Sequence, residues 1–222
     1  YTPSGDMHVL LGDFTGHGLP AAVGAMPLAE VFYGMTAKGY GLAETLREMN
    51  AKLKRILPVD MFCCATLLSL SFQRRSVEVW NGGMPDGYLH DVASGERRAL
   101  KSRHLPLGVL SAQAFDDRTE VFPMATGDRV FLLSDGVIDT CDVDEQLFGV
   151  ERLQQVFADG VTGVEFEGFV DPGVLIHKWL FLDENRAQFA VSGQGGDGGW
   201  PGRLLDSGPR HLPPTQETHH AP

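Results

Sequence analysis

The sequence predicts an α+β domain, and three kinds of stretch carry that prediction. Leu42, Leu46, Met49, Leu53 and Ile56 recur at spacings of four, three, four and three, one face of an amphipathic helix that Pro58 ends. Met61–Phe72 and Val77–Trp80 read as strands joined through the polar Gln73-Arg74-Arg75-Ser76, a hairpin-like connection. Met7–Leu11 and Val130–Leu133 are short apolar runs that read as buried strands. Each delivers an aspartate beside a glycine, Asp13 after the first and Asp135 after the second.

The remaining elements follow in chain order. Gly16-His17-Gly18 is a Gly-rich turn, and Pro20-Ala21-Ala22 opens a small-residue helix, where a proline is tolerated because its missing N–H would have no partner anyway. Pro27, inside that helix, is expected to kink or split it. Asn81-Gly82-Gly83 and Ala93-Ser94-Gly95 mark turns, and Leu147–Val156 reads as a closing helix. Beyond Asp159 the pattern weakens, although Val174–Leu182 still reads as an apolar segment. From Gly193 onward seven Gly and five Pro fall within the last 30 residues, a composition that predicts a disordered tail. The expected organisation is a domain over 1–158, a divergent continuation over 159–192 and a tail over 193–222. The chain has no internal repeat. The Met and Phe residues of the first two helices are read as core.

A chain of 222 residues with 43% apolar residues can fill one sizeable core. No apolar stretch is long enough to span a bilayer. There is no signal peptide, and the chain opens on Tyr1 inside apparent structure, so it reads as a piece of a longer protein. The net charge of −11 argues against nucleic acid or anionic lipid as a partner. It also means that any phosphate must be held by a local positive device, for which carboxylate-bound metal ions are the obvious choice. The three cysteines, Cys63, Cys64 and Cys141, form neither a disulfide framework nor a zinc pattern, which makes a reducing cytoplasm the default location.

Asp13 and Asp135 are the center of the chemistry. A carboxylate at a strand end sits at the edge of a sheet, where solvent and substrate reach it, and the adjacent glycine lets the backbone bend sharply. Hard oxygen ligands of this kind suit Mg²⁺ or Mn²⁺ rather than zinc. Two such ions lower the pKa of a shared water and neutralise a phosphoryl group in transfer. Taken bare, each Asp-Gly is an ordinary turn.

The longer strings say more. Gly12-Asp13-Phe14-Thr15-Gly16-His17-Gly18-Leu19-Pro20-Ala21-Ala22 resembles a metal motif of the bacterial serine/threonine phosphatases related to SpoIIE, which belong to the metal-dependent, PP2C-like family. Phe131-Leu132-Leu133-Ser134-Asp135-Gly136-Val137 resembles their later Ser-Asp-Gly motif. Trp80-Asn81-Gly82-Gly83-Met84-Pro85, Leu105-Pro106-Leu107-Gly108 and Phe148-Gly149-Val150-Glu151-Arg152-Leu153 match the family in order, so the resemblance runs from about Met7 to Val156. It implies two packed antiparallel sheets flanked by helices in α-β-β-α layers. It also implies a two-ion Mn²⁺ or Mg²⁺ centre, with Asp13 bridging both ions, the Phe14 carbonyl on one and Asp135 on the second. Water then attacks phosphoserine or phosphothreonine directly. The implied partners are a phosphorylated STAS-fold regulatory protein, of the anti-sigma-factor-antagonist kind, and an upstream receiver or sensor domain; a homodimer is left open.

The sequence departs from the family in two places. The family's first metal aspartate lies upstream of the Asp13 strand, and Asp6 is too close to Asp13 to replace it. The family's last Asp-Asp pair has no counterpart after Val156, where Asp183 and Asp197 are candidates by position alone. Asp116-Asp117 precedes Asp135, the wrong order, and reads as a solvated loop. Asp139, Asp142, Asp144 and Glu145 likewise read as a solvated acidic loop. His17 is either a proton donor to the leaving oxygen or a residue that fixes the turn before the helix. The missing carboxylates also suit a second reading, a non-catalytic binding module of the same fold. A cyclase or GTPase lacks a phosphate-cradling loop here.

Overall fold

The computed structural model describes residues 1–15, 19–139, 145–158, 178–183, 186–191 and 205–206. Two antiparallel sheets are stacked face to face. Sheet A has the order β1 (Met7–Phe14), β2 (Cys63–Ser71), β3 (Ser76–Gly82), β6 (Glu120–Pro123). Sheet B runs β10 (Leu205–Asp206), β9 (Arg186–Val191), β8 (Lys178–Asp183), β7 (Arg129–Leu132), β4 (Gly87–His90), β5 (Arg97–Leu100). The helices α1 (Leu19–Ala37) and α2 (Leu42–Ile56) lie on sheet A. The short α3 (Asp135–Ile138) and α4 (Gly149–Ala158) pack on the outer side of β7. The result is the α-β-β-α layering expected from the sequence.

Strand alternation decides what lies between the layers. Met7 and Val9 of β1, Leu68 and Leu70 of β2, Val77 and Val79 of β3, and Val130 and Leu132 of β7 form the core between the sheets. The residues one step out of phase, Cys63, Ala65, Leu67 and Trp80, face the helices with Leu28, Phe32, Leu46, Met49 and Leu53. β2 is covered on both faces, which is why its sequence reads as a nearly continuous apolar run.

The periodic face of α2 is buried at Leu42, Leu46, Met49 and Leu53, but Ile56 is exposed, because the helix ends there and turns into Leu57 and Pro58. Glu44 starts the helix by accepting the Gly41 amide at 3.1 Å. Pro27 does not split α1, which is one helix over 19 residues. The carbonyl that loses its partner to the proline belongs to Val23, on the solvent side, where water can replace the bond. Phe32 and Met49 are core as expected, whereas Met26 is exposed.

Asn50 is a fully buried polar side chain on α2. Its Oδ1 accepts the Gly108 amide at 2.9 Å, and its Nδ2 donates to the Leu110 carbonyl at 3.1 Å. Leu107 bridges Cys63 through paired backbone bonds of 3.0 and 2.8 Å. The Leu105–Gly108 segment is thereby fixed against the start of β2.

The closing helix appears as α4, two residues later than expected. β8 covers the second half of the apolar Val174–Leu182 segment and pairs with β7, with Val130 opposite Leu182. Most of the expected tail lies outside the described residues, but Leu205–Asp206 pairs with β9. No helix among the described residues is long and apolar enough to cross a membrane.

Replacing Asn50 by Ala strands the Gly108 amide and the Leu110 carbonyl. Asn50→Ala is expected to lower stability by about 2 kcal/mol, measured as a fall in the denaturant midpoint with unchanged slope.

Candidate functional site

The candidate site grows from the alternation of β1. Met7 and Val9 face sheet B, with Leu11 packed on the same core, so Asp13 continues toward the gap between the sheets at their open end. On sheet B, β7 ends at Leu132, and three residues later Asp135 opens α3 with Ser134 as its N-cap. The two carboxyl groups, from distant parts of the chain, come within hydrogen-bonding reach of each other, and both residues are exposed. Asp13 is raised above its ordinary value of 3.8. Partial desolvation contributes most, followed by the Asp135 charge and the hydrogen bond shared with it, while the Phe14 amide, donating to Asp13, opposes the rise.

The Phe14 carbonyl has a definite direction. Phe14 lies opposite Cys63, and Cys63 uses its own amide and carbonyl on Leu107, across β2. In an antiparallel ladder that makes Phe14–Cys63 a non-hydrogen-bonded pair, so the Phe14 amide and carbonyl turn away from β2, toward the outer edge of β1. The Phe14 ring packs under α1, where a Cβ on Gly24 would run into it. Beyond Phe14, Thr15 is tied to Phe62 by its amide, 3.1 Å to the carbonyl, and by its hydroxyl, which accepts the Phe62 amide at 3.0 Å.

Cys64, directly opposite Asp13 in the register, shares its face and was not anticipated from the sequence. Partial burial raises its thiol pKa, as do the charges of Asp13 and Asp135. Cys63, on the helix-facing side, is pushed up mainly by burial. Gly83 closes this side of the site: its φ is +81°, and a Cβ there would lie 2.8 Å from the Cys64 Sγ and 2.7 Å from the Pro106 ring. The glycine-proline strings are therefore packing partners that shape the wall beside Asp13. Only the register of β1 on β2, which neither string states, reveals that Cys64 belongs to it.

Other sequence candidates fall elsewhere. Asp6 lies on the turn that leads into the Asp13 strand, as expected, and is bonded to Arg74 at 3.1 Å at the end of β1 far from Asp13. Asp183 ends β8 at the Arg129 end of β7, away from Asp135, because Leu182 lies opposite Val130. Asp116 is held well below the usual carboxylate range by the Arg118 guanidinium, and Asp117 pairs with Arg47 at 2.9 Å; both belong to a solvated loop. His17, Cys141, Asp142, Asp144 and Asp197 lie outside the described residues.

The donor set suits a hard divalent cation. Two like charges in contact at a sheet edge are relieved by a cation between them, and carboxylate with carbonyl oxygen is the donor type that Mg²⁺ and Mn²⁺ take. Among the described residues no group of three or more His, Cys, Asp or Glu is placed to hold an ion.

Fold and site together define the class. The family model described as Stage II sporulation protein E (SpoIIE) matches residues 3–171, and the chain belongs to that family. Its fold is that of the PP2C-like phosphatase domains. The chain is similar to the phosphoserine phosphatase RsbP of Bacillus subtilis (strain 168), 24% identical over 135 residues, 59% of this chain and 33% of the relative. It thus spans about a third of the length of that curated protein. Among solved structures, the SiaA PP2C domain of Pseudomonas aeruginosa superposes with a TM-score of 0.56 at 23% identity, covering 71% of this chain and 66% of that one. The RsbU and RsbW domains of a Mycobacterium tuberculosis protein give 0.53 at 22% identity, covering 61% and 38%. RsbX in complex with magnesium gives 0.51 at 16% identity, covering 71% and 75%.

The raised Asp13 makes a pH prediction for the metal-free chain. In the unfolded chain Asp13 titrates near its ordinary value, and in the folded chain it titrates higher. Between those two values the folded state binds the extra proton, so this group's contribution to stability declines as pH rises through the window and stays unfavourable above it. Asp135→Asn is expected to bring the Asp13 midpoint down and to flatten that part of the stability profile, as read by carboxyl-carbon NMR titration and by melts across the same pH range.

Proposed function

We propose that this chain is the catalytic part of a metal-dependent phosphatase that removes phosphate from a serine or threonine of a small regulatory protein in partner-switching signalling. The observation that carries the reading is the meeting of Asp13 and Asp135 at the open end between the sheets, in a chain of the SpoIIE family. The phosphoserine phosphatase activity of RsbP and the magnesium bound by RsbX support it by likeness.

In this reading Asp13, the Phe14 carbonyl and Asp135 hold Mn²⁺ or Mg²⁺, two ions in the complete site. When bound, such ions supply an activated water and neutralise phosphoryl charge. The chain's own part is placement. Two strand ends anchored in the inter-sheet core hold the carboxylates, and the Gly83–Pro106 wall limits what approaches Asp13 from the β3 side. His17, four residues after Asp13, is the candidate proton donor to the departing serine or threonine oxygen. The proposed substrate is a phosphorylated STAS-fold protein. An upstream receiver or sensor domain, a homodimer and a cytoplasmic location complete the proposal.

One observation favours a second reading. Two carboxylates with one carbonyl are few for two ions that each take about six oxygen ligands, and a non-catalytic protein-binding module of the same fold needs no ions at all.

Mn²⁺-dependent hydrolysis of p-nitrophenyl phosphate separates the two. The phosphatase reading expects this chain alone to be silent and a version extended upstream, to restore the family's first metal motif, to show metal-dependent turnover that Asp135→Asn reduces to background. If the extended protein stays inert, or Asp135→Asn in it changes nothing, the carboxylate pair is not part of a catalytic centre.

A further inference from the structure

The two sheets part at the end of the sandwich away from Asp13 and Asp135, and they leave a cleft there of about 280 Å³. Its floor is Leu89 of β4, which is buried between the sheets, and Met124, which follows β6 and packs on the same core. Arg98 of β5 lies opposite Leu89 in the β4–β5 ladder, and Leu100, two residues along, belongs to the inter-sheet core. Residues paired in this way share a face of the sheet, so Arg98 takes an inward position that alternation would give to an apolar side chain. Its ion pair is a long one, Nε to Glu96 at 3.6 Å. Across the cleft stands Arg75, in the turn between β2 and β3. The Arg75 carbonyl accepts the Met124 amide at 2.8 Å, which fixes the turn against the wall, while its guanidinium has no partner among the described residues. The carboxylates at the mouth are already in use. Buried Asp128 accepts the Val92 amide at 3.2 Å and the Ala125 amide at 2.7 Å, and Asp91 accepts the amides of Ala93 and Ser94 at 2.9 and 3.0 Å. They hold the turns, and the hydrogen-bonding capacity left over at the mouth is that of the two arginines.

We propose that this cleft is a binding site, separate from the carboxylate pair, for a small organic acid with an apolar body. The body lies on Leu89 and Met124, and the carboxylate is held between Arg75 and Arg98. A guanidinium presents a planar fork that matches a carboxylate with two parallel hydrogen bonds, so one arginine from each sheet suits the planar head of such a ligand. Size sets the rest of the class. An apolar cavity of about 150 Å³ takes benzene, so this cleft admits a two-ring or short-chain acid and is too small for a peptide. The apolar body is needed as well as the charge, because a chain of net charge −11 offers an anion no long-range attraction. A ligand so placed touches both sheets and, binding only where they are packed, stabilises that packing by mass action. The phosphatase reading uses neither arginine, and this inference stands without it.

The test titrates 2-naphthoate into the full chain by calorimetry, without divalent metal, so that the probe cannot bind through an ion at the other end. One saturable site and a rise in Tm with probe concentration are expected. The neutral 2-naphthalenemethanol, with the same rings and no charge, is expected to bind about tenfold more weakly or worse, and Arg75→Gln and Arg98→Gln are each expected to weaken naphthoate by a similar factor. Ala125→Trp, at an exposed position on the cleft wall, fills the space and is expected to abolish binding. Arg47→Gln removes the same charge from an exposed position on α2, outside sheet A, and is expected to bind as the unmodified chain does. Circular dichroism checks that each variant is folded, and the comparison of acid with alcohol needs no variant. The inference is overturned if naphthoate shows no saturable binding, if the alcohol binds as tightly, or if both arginine variants bind within about twofold of the unmodified chain. It is equally overturned if Ala125→Trp still binds or if Arg47→Gln loses as much as the cleft variants.

Discussion

The packing of sheet A on sheet B is the constraint on which the site depends. Side chains along a strand alternate with a period of two, so once Met7, Val9, Val130 and Leu132 are committed to the inter-sheet core, the directions of the residues that follow are largely set. Asp13 inherits the inward direction of Met7 and Val9. Asp135 follows Leu132 by three residues, out of the strand and into the first turn of α3. A slip of one residue in β1 would send Asp13 toward the helices and bring Gly12 or Phe14 to the gap. Carboxylate placement is thus a by-product of burying valine, leucine and methionine, which supplies far more free energy than the pair itself.

Much of this was readable in the sequence. The four-and-three spacing of Leu42, Leu46, Met49 and Leu53, the hairpin between β2 and β3, and the strand that delivers each aspartate all appear in the structure, because each is set by local periodicity. What could not be read depends on neighbours distant in the chain. Cys64 becomes a neighbour of Asp13 only through the β1–β2 register. Asn50 looks like any polar residue of an amphipathic helix, and its role emerges only when the Gly108 segment lies against it. Ile56 fits the helical period but falls where the helix has no more surface to cover.

α1 shows the limit of pattern reading from the other direction. Glu30 is its one charged residue, so the helix carries little amphipathic signal, and every apolar position looks equally eligible for burial. The structure sorts them by what lies beneath: Leu28 and Phe32 meet sheet A and α2, while Val23, Met26 and Tyr33 meet solvent. A helix that is apolar on both sides has a surface to offer as well as a core to fill. That distinction rests on tertiary placement alone.

The distance along the chain between Asp13 and Asp135 has a consequence for folding. The β2–β3 hairpin and α2 are local and can form early, but the two carboxylates meet only after β7, an inner strand of sheet B, has come round to close on sheet A. The pair is accordingly among the last native features to assemble and among the first to part when the layers separate. On the proposed metal-binding reading, an ion that needs both carboxylates would recognise the closed sandwich and none of its precursors, and its binding would draw partly folded molecules toward the finished fold.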